Sequence, residues 1–128
     1  HTNIFFQMLA DEYLSRYDLD AHIARIRALY REKFLAMRGA AGRYFPESAR
    51  LTSPDGGIFL WCSLPGGTDV MALCRLSAEK KVAVVPGSSF MADEKTPCSA
   101  FRLNFSTPTL EQIESGMAVL GGVLRDFL

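Results

Sequence analysis

The most regular pattern of apolar and polar positions in this sequence is a strict alternation over residues 100–106, A-F-R-L-N-F-S. Side chains alternate between the two faces of a strand, so the apolar residues share one face and Arg102, Asn104 and Ser106 share the other. The apolar face can enter a hydrophobic core. The pattern therefore predicts a strand that holds a guanidinium on its outer face, beside an amide.

Two helices are predicted in the first third of the chain. A helix is predicted over residues 3–16, and its first part is apolar nearly all round, which is typical of a helix that is buried on more than one side. A longer helix is predicted from about Asp20 to Phe45, where apolar residues recur at alternating steps of three and four. Pro46 follows and ends this helix.

Two shorter helices are predicted farther along the chain. The first spans residues 69–80, with Thr68 as its N-cap. The last begins with Thr107 as N-cap and Pro108 at the first helical position, which proline tolerates. The remaining predictions are strands at residues 50–53, 58–64 and 82–85, and an irregular loop at residues 88–99.

The order of these elements predicts an α+β fold, in which helices cover a small, largely antiparallel sheet. At this length the chain is most simply a single domain, residues 1–128. The strand at 58–64 is apolar on both faces and needs cover on both. We therefore interpret Phe59 and Trp61 as a packing surface for a further domain. The chain begins at His1 rather than Met, and we expect it to be part of a longer protein.

Composition and charge exclude several classes of partner. The sequence has 14 basic and 14 acidic residues and a net charge of 0, which argues against a nucleic-acid surface or an anionic membrane. No apolar run approaches the ~20 residues of a membrane span. The 3 cysteines lack paired spacing and there are only 2 histidines, so no metal site is predicted and a reducing, cytoplasmic setting is favoured.

Four stretches of sequence, taken in order, carry a resemblance to a known family. They are H-I-A-R-I-R-A-L-Y from His22, P-D-G-G-I-F-L-W-C-S-L-P from Pro54, V-A-V-V-P-G-S-S-F from Val82, and the segment from Phe101 to Gly116 that contains R-L-N-F. They are spread along the chain from residue 22 to residue 116. They resemble the C-terminal, small domain of fold-type-I pyridoxal-phosphate-dependent aminotransferases, in the class I/II branch that includes aminoadipate-type and multi-substrate enzymes.

The resemblance implies an enzyme that moves an amino group between an amino acid and a 2-oxo acid, with pyridoxal phosphate as electron sink. In the family, the arginine of the R-L-x-F strand binds the substrate α-carboxylate, and this role falls on Arg102. The planar fork of an arginine suits a carboxylate. Asn104, on the same face, and Phe90, in the family's active-site loop, are further candidates for substrate binding. The resemblance also implies a large domain, a homodimer and a cytoplasmic location.

The resemblance places the Schiff-base lysine, the phosphate cradle and the acidic partner of the pyridine nitrogen upstream of this region. The lysines present are Lys33, Lys80, Lys81 and Lys95, and none has the desolvated setting that a Schiff-base lysine needs. We therefore predict no catalytic, cofactor-binding or metal-binding residue in this chain, and no activity for the chain alone. Residues 1–20 are expected to form an interdomain helix segment.

Two other functions stay open on the sequence alone. In transcription regulators of the MocR type, the same aminotransferase-like region follows a winged helix-turn-helix and senses pyridoxal phosphate. The other alternative to an enzyme domain is a stand-alone module that binds a small molecule. The strand that is apolar on both faces and the apolar first helix argue against this alternative. The side chain of the substrate cannot be inferred from these residues.

Overall fold

The computed structural model describes residues 3–93 and 96–128. Within these ranges the elements, in chain order, are α1 Ile4–Arg16, α2 Leu19–Tyr44, β1 Arg50–Leu51, β2 Phe59–Ser63, α3 Val70–Glu79, β3 Val85–Pro86, a 3₁₀ turn at Gly87–Phe90, β4 Ala100–Asn104 and α4 Leu110–Phe127.

The strands of the described ranges form one sheet in the order β1-β2-β4-β3, and every neighbouring pair is antiparallel. β4 lies between β2 and β3, with Arg102 opposite Trp61 on one side and opposite Val85 on the other. This arrangement confirms the predicted α+β fold with a small antiparallel sheet.

One face of the sheet packs against α2, α3 and α4. Phe101, Leu103 and Phe105 are buried, as the alternation predicts, whereas Arg102 is half-buried and Asn104 is exposed. The core also contains Met37 and Ala40 of α2, Leu60 and Cys62 of β2, Leu73 of α3, and Ile113, Met117, Leu120 and Leu124 of α4. The guanidinium therefore lies on the side of β4 that faces away from the core.

The cap of α3 differs from the prediction. The Asp69 carboxylate, not Thr68, accepts a hydrogen bond from the N–H of Ala72 at 2.9 Å. The Thr68 hydroxyl instead donates to the carbonyl of Pro65 at 2.7 Å, within the preceding turn. Both residue types cap helices well, and the turn decides which one is in position.

The start of α4 was also predicted wrongly. The helix begins after Thr109, whose hydroxyl accepts from the N–H of Gln112 at 3.2 Å, while the Gln112 side chain accepts from the N–H of Thr109 at 2.9 Å. This reciprocal capping box satisfies two backbone donors at once. Thr107 and Pro108 therefore lie before the helix rather than at its first positions.

The strand predicted at 82–85 is shorter and begins later, at Val85. After α3 the backbone of Lys81 has a φ of 66°, and the N–H of Val82 donates to the carbonyl of Ser77. Val82 is therefore still part of the turn that ends the helix. The loop predicted at 88–99 overlaps the 3₁₀ turn.

Helix α1 lies outside the packed body of the protein. Every residue from Ile4 to Arg16 is exposed, and the apolar side chains of Ile4 and Met8 are 71% and 65% exposed. An isolated helix of 13 residues is only marginally stable in water. A contiguous apolar surface of this kind marks a place where another surface associates.

We expect the 128-residue chain to associate with itself through α1, and deletion of residues 1–17 to remove that association while leaving the body equally stable. Because α1 buries no residue, the free energy of unfolding should change by no more than about 0.5 kcal/mol. Sedimentation velocity and urea unfolding of the two chains measure both quantities. Persistent association of the shortened chain, or a clear loss of its stability, would contradict this expectation.

Candidate functional site

The candidate site is centred on Arg102, in the middle of β4. Its neighbours across the sheet are Trp61 of β2 and Val85 of β3. Because β4 is an interior strand with partners on both sides, its backbone is held firmly, and the arginine projects from a rigid base. The outer position that the sequence predicts for Arg102 is confirmed.

Two aromatic rings contact the Arg102 guanidinium. Its Cζ atom lies 3.9 Å from the centroid of the Phe59 ring and 4.5 Å from the centroid of the Phe90 ring. Both distances are well within the ~6 Å over which a cation is attracted to an aromatic face. The Phe90 ring in turn meets the Trp61 ring edge-on, with centroids 5.9 Å apart.

Gly87 brings the 3₁₀ turn that carries Phe90 close to the sheet. Gly87 is buried, and a Cβ atom there would lie 2.5 Å from the Cys98 Sγ, 2.8 Å from the Ala100 carbonyl oxygen and 2.9 Å from the Trp61 ring. Such distances are too short for any side chain. Because glycine has no side chain, the turn can lie directly against Trp61 and β4.

The Arg102 guanidinium makes no ion pair and no side-chain hydrogen bond with another residue in the part of the chain that the structure describes. The ion pairs and side-chain hydrogen bonds among residues 3–93 and 96–128 do not include this side chain. The rings cover part of the guanidinium, and rings cannot accept its in-plane hydrogen bonds as an anion does. Its N–H fork is thus suited to a planar anion such as a carboxylate.

Asn104, which was predicted to bind substrate, also makes hydrogen bonds within the protein. The Asn104 Oδ1 atom accepts hydrogen bonds from both the N–H and the hydroxyl of Ser106, each at 2.7 Å. The Lys33 ammonium donates to the carbonyl of Ser106, also at 2.7 Å, and so ties α2 to the turn after β4. The Asn104 oxygen therefore shapes this turn rather than contacting Arg102.

Phe90 lies within the site, and Phe59 joins it although the sequence indicated only a packing role. The Phe59 ring stacks near Arg102 yet stays 36% exposed, and Phe90 is 43% exposed. Sequence reasoning missed the Phe59 contact because it depends on the register between β2 and β4. The alternation within β2, which puts Phe59 on the outer face, was the available signal.

The described lysines do not offer a place for a covalently bound carbonyl cofactor. Lys33 is engaged with Ser106, and Lys80 and Lys81 are exposed at the end of α3. Lys95 lies outside the described residues. A cofactor of this kind needs a lysine held in a desolvated pocket, so the described lysines do not fit it.

Neither Cys62 nor Cys74 is suited to act as a nucleophile. Burial in the core raises the pKa of the Cys62 thiol to about 12, and burial also raises the pKa of Cys74. Both thiols are therefore protonated near neutral pH and are poor nucleophiles.

Residues 3–93 and 96–128 contain no cluster of His, Cys, Asp and Glu that could hold a metal ion. None of their helices has the length and hydropathy to cross a bilayer.

The protein also contains a cavity of about 440 Å³ between the end of α3 and the first turns of α4. It is lined by Lys81, Asn104 and Gln112 among others, but not by Arg102 or its two rings. This cavity and the arginine are thus separate features.

Comparison with known proteins links this arrangement to a group of enzymes. The chain is 38% identical, over all of its 128 residues, to a 2-aminoadipate transaminase of Thermus thermophilus, of which it spans 32%. It is 34% identical over 125 residues, 98% of this chain, to aromatic-amino-acid aminotransferase 1 of Thermococcus litoralis, of which it spans 30%. No protein-family model matches the chain.

A solved structure gives the same likeness in three dimensions. The crystal structure of an α-aminoadipate aminotransferase of Thermus thermophilus, complexed with N-(5'-phosphopyridoxyl)-L-leucine, matches with a TM-score of 0.90 and 37% identity. The match covers 99% of this chain and 32% of that chain. An uncharacterized HTH-type transcriptional regulator of Escherichia coli is also 29% identical, over 95% of this chain and 26% of its own length. The chain therefore spans about a third or less of the length of these relatives.

Proposed function

We propose that this chain, which belongs to the family of pyridoxal-phosphate-dependent aminotransferases and has the fold of their small domain, holds the substrate carboxylate in a larger enzyme. That enzyme moves an amino group between an amino acid and a 2-oxo acid. The observation that carries the proposal is Arg102, an arginine on an interior strand that faces away from the core with its N–H fork unpaired among the described residues.

Arg102 has the chemistry and the rigidity that this role requires. A guanidinium donates two parallel hydrogen bonds to a carboxylate, which fixes both the position and the rotation of the anion. Held in this way, an amino acid presents its Cα–H bond in one orientation, and orientation of this kind can lower a reaction barrier substantially. A lysine would keep the charge but would not fix the rotation.

The pyridoxal phosphate of the proposed enzyme is held by residues outside this chain. When bound, the cofactor supplies an electron sink for charge that develops at the substrate Cα. The described residues contribute to that chemistry only through the substrate carboxylate, since no described lysine is placed to hold the cofactor. The chain alone is therefore proposed to be inactive. The homodimer and the cytoplasmic location implied by the family stay predictions.

The proposal is tested by comparing the full-length protein with residues 1–128 alone, each supplied with pyridoxal phosphate, L-leucine and 2-oxoglutarate. We expect turnover by the full-length protein only. Borohydride reduction followed by peptide mass spectrometry should place the cofactor on a lysine outside residues 1–128. Turnover by the short chain, or a stoichiometric adduct on Lys33, Lys80 or Lys81, would contradict the proposal.

A second candidate function is a sensor domain in a transcription regulator. The likeness to the HTH-type regulator of Escherichia coli favours it. The same full-length protein distinguishes the two functions: a regulator would carry a DNA-binding domain and bind duplex DNA in a manner that depends on pyridoxal phosphate, without sustained turnover. In that case Arg102 would hold the carboxylate of a bound amino acid rather than that of a reacting one.

A further inference from the structure

We propose that Phe59 and Phe90 are positioning residues for Arg102, and that they form an aromatic clamp that sets the direction of its N–H fork. This inference rests on the proposed function, because it assigns these rings a task in binding the substrate carboxylate. It does not require either ring to touch the substrate.

The two rings of the clamp come from different elements of the fold. Phe59 lies on β2, two residues before Trp61, which is the residue opposite Arg102. Phe90 ends the 3₁₀ turn that follows β3, and its ring meets Trp61 of β2 edge-on. The guanidinium carbon lies 3.9 Å from one ring centroid and 4.5 Å from the other, so both rings are in contact with the cation.

These contacts limit how the arginine can move. A long arginine side chain on a solvated sheet face has many rotamers, and holding a carboxylate would require it to give up that freedom on binding. Rings that attract the cation hold it in one region before the substrate arrives, which is preorganisation. The clamp leaves the in-plane N–H groups available, because an aromatic face attracts the cation without accepting a bidentate pair.

The two halves of the clamp are fixed in different ways. Phe59 belongs to a strand and is held by the sheet itself. Phe90 lies on a short turn, where the edge-on contact with Trp61 at 5.9 Å and the close approach of Gly87 to β4 hold it. Phe90 is therefore held in place by side-chain packing, whereas Phe59 is held by its strand. Both rings should nevertheless act through Arg102 alone.

The test measures kcat/KM of the full-length protein for L-leucine and for 3-methylbutylamine, which is the amine that remains when the leucine carboxylate is removed. We expect Phe59→Leu and Phe90→Leu each to lower kcat/KM for leucine by about three- to thirty-fold, the range that one cation–π contact spans. The value for the amine should not change. Phe90→Trp, which keeps a ring, should retain most of the leucine activity.

A double-mutant cycle separates positioning from a general structural effect. In an Arg102→Ala background, Phe59→Leu and Phe90→Leu should have no further effect on leucine, since the residue they position is gone. Phe127→Leu is the matched control, because Phe127 is a half-buried phenylalanine of α4 that packs against the core. It should leave the leucine-to-amine ratio unchanged.

Three results would overturn the clamp. They are an equal loss for leucine and for the amine, a loss that persists in the Arg102→Ala background, or ring variants that behave as wild type. Failure of the proposed function gives a different result, in which Arg102→Ala itself leaves the preference for leucine over the amine intact. If Arg102→Ala abolishes that preference while both ring variants behave as wild type, the carboxylate role stands and the clamp is wrong.

Discussion

Arg102→Ala is expected to lower kcat/KM of the full-length protein for amino-acid substrates by about 30-fold to several-thousand-fold, which corresponds to the roughly 2–5 kcal/mol lost when one partner of a buried charge pair is removed. Under the proposed function, the variant would leave the substrate carboxylate without its bidentate partner, and both binding and orientation would be lost. Arg102→Lys should recover only part of the loss, because an ammonium is a point charge without the planar fork. Steady-state kinetics with L-leucine and 2-oxoglutarate measure both variants.

Folding should barely respond to these substitutions, since the Arg102 side chain points away from the core. Arg50→Ala is a suitable control. Arg50 is an exposed arginine on β1, the edge strand that pairs with β2 rather than with β4. It should leave both kcat/KM and the melting temperature unchanged. If Arg102→Ala keeps near-normal kcat/KM, Arg102 is a surface residue and the assignment of the site is wrong.

The orientation of Arg102 could be predicted because it depends on a local pattern. Alternation within residues 100–106 decides which side chains enter the core whatever the strand pairs with, and the burial of Phe101, Leu103 and Phe105 confirms it. The outer position of Arg102 therefore needs no knowledge of which strands become neighbours. The antiparallel character of the sheet does depend on it, because β2 and β3 run in the same direction and only β4, which lies between them, makes every neighbouring pair antiparallel.

The contacts of Arg102 could not be predicted in the same way. Phe59 reaches the guanidinium because β2 pairs with β4 in the register that sets Trp61 opposite Arg102, and Phe90 reaches it from the 3₁₀ turn that follows β3. Pairings between distant segments depend on the whole fold, and a register shift of one residue would move every side chain to the other face. A single sequence gives no direct signal for them.

The start of α4 is a different kind of error, because a local signal was present. Thr109 and Gln112 have the spacing of a capping box, which satisfies two backbone donors. Thr107 followed by Pro108 suggested an earlier start, since proline is common at the first helical position. The reciprocal hydrogen bonds of the box favour the later start, and Pro108 ends up in the preceding turn.

The end of α2 is joined to α4 by side-chain hydrogen bonds. The Tyr44 hydroxyl donates to Glu114 of α4 at 2.6 Å, and the Tyr44 carbonyl accepts from Arg125 at 2.5 Å. The hydrogen bond from Tyr44, followed by the charge of Arg43, lowers the pKa of Glu114. These contacts require α4 to pass very close to α2, and Gly121 is the position that allows it.

Gly121→Ala is expected to destabilise the protein by about 3 kcal/mol, the upper end of the usual cost of overpacking. A Cβ atom at Gly121 would lie 2.5 Å from the Tyr44 carbonyl oxygen and 2.7 Å from the Tyr44 Cβ. Both are part of the helix framework and cannot rotate away as the end of a long side chain could. The two helices would have to separate, and the hydrogen bonds of Tyr44 would be strained with them.

Gly122→Ala provides the control from the next position of the same helix. No atom lies within 4 Å of a Cβ at Gly122, so alanine there meets no obstacle and should stabilise the helix by about 0.5–1 kcal/mol over glycine. Urea unfolding followed by circular dichroism, at low protein concentration to limit association through α1, compares the two variants with the unmodified chain. Opposite signs for these adjacent substitutions would show that the close approach at Gly121, rather than helix propensity, sets the contact between α2 and α4. Equal and small effects would mean that the helices can separate at little cost, and that this contact does not hold the body together.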